Sequence, residues 1–75
     1  MLLSQLPLGK MGEVAAITCS GLTRRRLLDL GLVPGTRIQA LRQSPGGDPV
    51  AFNIRGAVIA LRLDTASQVK IQLVQ

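Results

Sequence analysis

The chain has no histidine, tyrosine or tryptophan, and Phe52 is its single aromatic residue. Without an imidazole, the lone thiol of Cys19 has no base to activate it as a nucleophile. A single cysteine also makes an internal disulfide impossible and fits a reducing, cytoplasmic compartment. Acidic residues are few. Glu13, Asp29, Asp48 and Asp64 are scattered, and no two have an obvious shared site. Together with one cysteine they do not give zinc or iron ligand spacing. No glycine-rich loop is followed by lysine, so a P-loop phosphate cradle is missing. These absences argue against an enzyme and against a resident cofactor, leaving at most a weak metal site shared between molecules. No apolar run approaches the roughly 18 residues of a membrane span. The start, Met1-Leu2-Leu3-Ser4, lacks the basic region and long apolar run of a secretory signal. A cytoplasmic location is therefore expected.

What is present begins with size and charge. Seventy-five residues make one domain, residues 1–75, and about 60% of the unfolded surface of so short a chain is buried on folding. Hydrophobic content of 47% argues against disorder. The net charge of +5 suits an acidic protein, a nucleic acid or an anionic membrane surface without choosing among them.

The most informative stretch runs from Arg24 to Thr36. Leu27, Leu28 and Leu30 lie on one apolar arc at helical spacing. Gly31 then stands where helices take a left-handed residue, and Leu32 beyond it is placed to fold back on Leu27. Pro34-Gly35 reads as the centre of a type II turn. Within the helix, Arg24, Arg25 and Arg26 sit near the positive pole and Asp29 near the negative one. Each placement opposes the macrodipole by about 0.3–1 kcal/mol when exposed. Local choices that break local rules tend to mark function or strain.

The rest of the chain reads as strands. Leu3, Leu6 and Leu8 form a lead-in over one end of a core, and Gly9 to Gly12 a turn. Glu13 to Cys19 reads as a strand in which Val14 and Ile17 face inward only with a bulge near Ala15-Ala16. Ser20 is the expected N-cap, and Gly21 weakens the first helical turn slightly. Thr36 to Gln43 alternates until Leu41, where a twist or bulge is expected. Ser44 to Pro49 is the longest loop. Val50, Phe52 and Ile54 alternate cleanly, Arg55-Gly56 is a tight connection, and Ile59, Leu61 and Leu63 alternate in turn. Asp64 to Ser67 suits a single 3₁₀ turn before a last strand carrying Val69, Ile71 and Leu73. Five strands and one helix predict an all-β small barrel, whose closure removes sheet edges.

Two binding classes compete. Small basic barrels bind RNA, and Gly12-Glu13-Val14 faintly resembles the opening of ribosomal barrel motifs. Single-strand binding leans on aromatic stacking, however, which Phe52 alone does not supply. The pattern Arg26-Leu27-Leu28-Asp29-Leu30-Gly31-Leu32-x-Pro34-Gly35-Thr36, then Gly47-Asp48-Pro49, Gly56, Ile59-Ala60-Leu61-Arg62, Ala66 and Val69, resembles the FeoA family from about Leu6 onward. That resemblance implies an SH3-like barrel, cytoplasmic and non-enzymatic, which assists the FeoB ferrous iron transporter by contacting its cytosolic GTP-binding portion. The same domain forms the tail of iron- or manganese-responsive repressors, but no DNA-binding helix pair is seen here, and DNA is not an expected partner. Lacking Trp and Tyr, the chain has no aromatic groove of the kind that holds proline-rich peptides. Its partner surface is expected at Arg24, Arg25 and Arg26, with Val33 and the Gly47-Asp48-Pro49 loop. An apolar spot rimmed by arginine is the composition that interface hot spots favour. A small basic RNA-binding barrel is the alternative reading.

Overall fold

The computed structural model describes residues 1–74. A 3₁₀ turn, Leu3–Gln5, leads into β1 (Met11–Ile17) and helix α1 (Gly21–Asp29). Strands β2 (Arg37–Gln43), β3 (Val50–Ile54) and β4 (Ala57–Leu61) follow, then a one-turn helix, α2 (Leu63–Ala66), and β5 (Val69–Val74). The strands form one antiparallel sheet in the order β4-β3-β2-β1-β5. It wraps a single apolar core in which Leu3, Leu27, Leu32, Ile38, Phe52, Ile54 and Ile71 are fully buried. No polar or charged residue among those described is buried.

Both expected irregularities are present, because side chains too numerous for one face force them. In the β1–β5 ladder Val14 faces Ile71 and Ala16 faces Lys70, so Ala15 has no partner. The bulge lets Val14 and Ile17 both turn toward the core. In the β2–β3 ladder Leu41 is skipped in the same way, between Ala40 and Arg42. Val50, Phe52 and Ile54 alternate with half-buried neighbours along β3. The Arg55-Gly56 turn carries positive φ at both residues, 53° and 88°, as a two-residue type I′ hairpin requires.

Several boundaries differ from the sequence expectation. Met11 and Gly12 belong to β1, not to the preceding turn. Gly12 lies against β5, where a Cβ would come within 2.8 Å of Ile71 Cδ1, so the glycine marks a close approach rather than a turn. Leu8 and Leu73 are exposed; Leu3 and Leu6 suffice to close that end of the core. Gly21 has φ +71°, so it is the residue through which the chain enters α1. A glycine there is a conformational requirement and not simply a weak helix former. The turn before β5 begins with α-type bonds, from Ala66 N to Arg62 O and from Ser67 N to Leu63 O. It tightens to 3₁₀ where Gln68 N donates to Thr65 O. Finally, the ladder does not close: β4 and β5 stand at opposite ends of the sheet. The outer side of β5 is covered by the chain's own start. Ile71 N donates to Met1 O at 2.8 Å, and Met1 N to Ile71 O at 3.0 Å.

Candidate partner-binding surface

Helix α1 is short and sparsely anchored. Leu27 is its one fully buried residue, and Leu28 and Leu30 are half-buried. Its C-terminus is the best-specified part. Gly31, at φ +99°, donates to Leu28 O at 2.9 Å, and Leu32 N donates to Leu27 O at 3.0 Å. This is the Schellman pattern, and the buried pair Leu27 and Leu32 supplies its apolar contact. The type II turn follows: Gly35 has φ +92°, and Thr36 N donates to Val33 O at 3.0 Å. That turn is stitched to β1 through Gly35 N to Val14 O and Val14 N to Thr36 O, both 2.8 Å.

The N-terminus of α1 is held differently. Ser20 occupies the N-cap position with extended backbone, yet its side chain makes no capping bond. Instead Arg24 reaches back and donates from its Nη1 to Ile17 O at 3.1 Å, tying the first helical turn to the end of β1. Cys19, between them, is half-buried against the core and behaves there as a small hydrophobe.

The three arginines fan around the helix, as about 100° per residue dictates. All are exposed. Arg24 and Arg25 line a shallow outer depression with Leu22 and Leu28. Arg26 points the other way, into a groove of about 560 Å³ between α1 and β4. Leu22, Leu27 and Leu30 line that groove from the helix, Ile59, Ala60 and Leu61 from β4, and Arg62 and Thr65 close its end. No carboxylate among the described residues lines it. Leu22 is 85% exposed, the most exposed large apolar side chain described.

The loop Gly47-Asp48-Pro49 lies on the far side of β4. Asp48 Oδ1 accepts from Leu63 N at 3.0 Å, so its carboxylate caps α2. Asp64 Oδ1 accepts from Thr65 N at 2.8 Å. Pro49 lines a second groove with Arg42, Pro45, Ala51 and Ala60. The two grooves therefore meet at Ala60. The structure thus brings Arg26 and the loop to the two flanks of one strand. Val33 is exposed in the turn beyond the other end of α1 and borders neither groove. Sequence reading missed Leu22 and the β4 residues Ile59 and Ala60. The signal for Leu22 was its position off the arc that carries Leu27 and Leu30. Nothing marked their strand as an edge, since edge position is a property of topology. Among the described residues, no three His, Cys, Asp or Glu side chains come together. No helix is long and apolar enough to cross a membrane.

The FeoA domain model matches residues 1–73. The chain belongs to the FeoA family. A fusion of Fe(2+) transport protein A with the Fe(2+) transporter FeoB, from Porphyromonas gingivalis, is 30% identical over 74 residues. Those residues cover 99% of this chain and 9% of that protein. The FeoA protein of Chlorobium tepidum, solved in solution, is 36% identical and superposes with a TM-score of 0.93. The match covers 100% of this chain and 71% of that one. The Stenotrophomonas maltophilia FeoA, crystallised with zinc and described as a prokaryotic SH3 domain protein, is 30% identical with a TM-score of 0.87. Coverage is 96% of this chain and 89% of that one. The small SH3-like barrel with one helix after the first strand is thus the fold of this FeoA-family chain.

Proposed function

We propose that this FeoA-family domain is a cytoplasmic accessory of ferrous iron uptake that acts by contact with the cytosolic GTP-binding portion of a FeoB-type transporter. The observation that carries this reading is the P. gingivalis fusion, in which a matching domain is joined to FeoB in one chain. The chain itself supplies no His, and among the described residues no cluster of metal ligands. Iron in this reading is the cargo of the transporter and not a resident cofactor. Isothermal titration of the isolated chain with ferrous iron is expected to show only weak binding; tight one-to-one binding would contradict the reading.

The contact surface in this proposal is the exposed side of α1 and the two grooves that meet at Ala60 of β4. Arg25 and Arg26 supply charge, Leu22 supplies apolar area, and the Gly47-Asp48-Pro49 loop forms the rim, whereas Val33, which borders neither groove, lies outside it. Arg24 is the arginine least free to serve, since it holds Ile17 O. The test is the double variant Arg25→Glu with Arg26→Glu, its fold checked by circular dichroism. Binding to the transporter's purified cytosolic portion is expected to weaken by about tenfold or more, the equivalent of about 1.4 kcal/mol. Binding of the parent is expected to weaken with added salt, because exposed charges are screened. A folded double variant that binds like the parent would remove α1 from the interface. Structured RNA serves as the control ligand; tight, saturable RNA binding would favour a nucleic-acid barrel instead.

A further inference from the structure

The two outer strands of the sheet are treated differently. The β5 edge is covered by Met1 and Leu2 and carries Lys70, a charge that discourages pairing with another chain. Among the described residues nothing covers the β4 edge in this way. Its five residues, Ala57-Val58-Ile59-Ala60-Leu61, include no charge and no proline, and its ladder with β3 runs without a bulge. Natural sheets commonly guard an edge with charge, proline, a bulge or a covering segment, and β4 has none of these among the described residues.

The register shows which backbone groups are free. The two-residue hairpin closes on the pair Ile54–Ala57, and hydrogen-bonded pairs then alternate along an antiparallel ladder. The backbone groups of Ala57, Ile59 and Leu61 therefore face β3, and those of Val58 and Ala60 face outward. The same alternation, carried across β3, turns Ala40 toward β1, where its N–H does bond Lys10 O at 3.2 Å. Val58 is 59% exposed. Beside this edge runs the groove to α1, floored by leucine and isoleucine and holding Arg26 and Arg62 with no acid among the described residues.

We infer that the free edge of β4 is a strand-addition site: an extended apolar segment carrying a carboxylate pairs with Val58 and Ala60 and lies in the α1–β4 groove, its acid meeting Arg26 and Arg62. Main-chain bonds supply affinity in such additions, and the side-chain pockets supply selection. Two cations without an acid make the groove complementary to an anionic segment and not to a basic one. This inference rests on the proposed function, in that the segment is one from the transporter's cytosolic portion.

The test is amide hydrogen exchange on the full chain, free and in complex with that cytosolic portion. Exchange at Val58 and Ala60 is expected to slow by about tenfold or more in the complex, while Ile59, already bonded within the ladder, changes little. A second arm uses Ala60→Pro, which removes an outward N–H from an edge strand where proline is tolerated. It is expected to keep its circular dichroism spectrum and to bind about tenfold more weakly. A complex that leaves both amides exchanging as in the free chain would overturn strand addition and leave the proposed function standing. Failure to form any complex would overturn both. Protection of the two amides that rises with the concentration of the free chain would mean that a second copy is the occupant, and would also overturn the inference. If the proline variant does not fold, the exchange result on the parent decides alone.

Discussion

At the scale of single residues, glycines carry much of the specification, and they do so for different reasons. Gly31 combines a positive φ with a close neighbour: a Cβ there would stand 3.0 Å from Arg55 Cδ. Arg55 is the far end of a flexible side chain and can move, so the backbone conformation decides the effect. Gly31→Val places a β-branched residue in the left-handed region, at a cost of about 1–3 kcal/mol. Thermal unfolding followed by circular dichroism is expected to show a clearly lower midpoint for this variant. Gly46 is the control. It is not among the residues with positive φ, and nothing lies within 4 Å of its added Cβ. Gly46→Ala is expected to leave the midpoint unchanged or raise it, by up to about 1 kcal/mol through the unfolded state. Equal destabilisation by both changes would remove the left-handed cap from the account of α1.

At the scale of elements, the two helices are held from outside themselves. Helix α1 has a serine that does not cap, and of its charges only Asp29 opposes the dipole; because the helix starts at Gly21, Arg26 falls in the last turn, where a cation is favourable, and not near the positive pole as the sequence suggested. It is fixed by Leu27 in the core, by the Gly31 cap, and by Arg24 on Ile17 O. Helix α2 is a single turn, too short to persist alone. It is started by Asp48, which belongs to a loop 15 residues earlier. Asp48→Ala is therefore expected to cost about 1 kcal/mol, the usual worth of a lost cap. Faster amide exchange is expected at Leu63 and through α2, with little change in β1. Unaltered exchange at Leu63 would show the contact to be dispensable. These anchors also explain what could be read from sequence. The Leu27–Thr36 segment was legible because cap, apolar contact and turn are all local and each has its own residue signature. Strands β2 and β3 were legible from alternation, and both bulges from a break in it. What escaped is what depends on distant partners. Gly12 reads as a turn residue until Ile71 is seen across the ladder. Asp48 reads as a loop acid until Leu63 N is seen beneath it, and Leu22 acquires a role only when the groove beside β4 is in view.

At the scale of the whole molecule, the sheet curls around the core as a barrel whose ladder does not close, and the described residues cover only one of its two edges. Residues at the start make the cover. Met1 exchanges two main-chain bonds with Ile71, Leu2 bridges to Lys70, and Gln5 Oε1 accepts from Leu2 N at 2.9 Å. The buried Leu3 then pins the segment to the core. This arrangement makes the β5 side a poor place for another chain to add, whereas β4 offers free main-chain groups beside an apolar groove. Removing residues 1 and 2 while keeping Leu3 separates the two roles of the segment, edge cover and core filling. In that variant the Ile71 amide loses its acceptor and is expected to exchange markedly faster. The β5 edge becomes available, so sedimentation is expected to show more self-association than in the parent at equal concentration. Binding to the transporter portion through β4 is expected to be unchanged, since the two edges lie at opposite ends of the strand order. An Ile71 amide as protected as in the parent would mean that the edge is covered by something other than Met1. Weakened partner binding by a folded, monomeric variant would mean that the partner docks on β5 and not on β4.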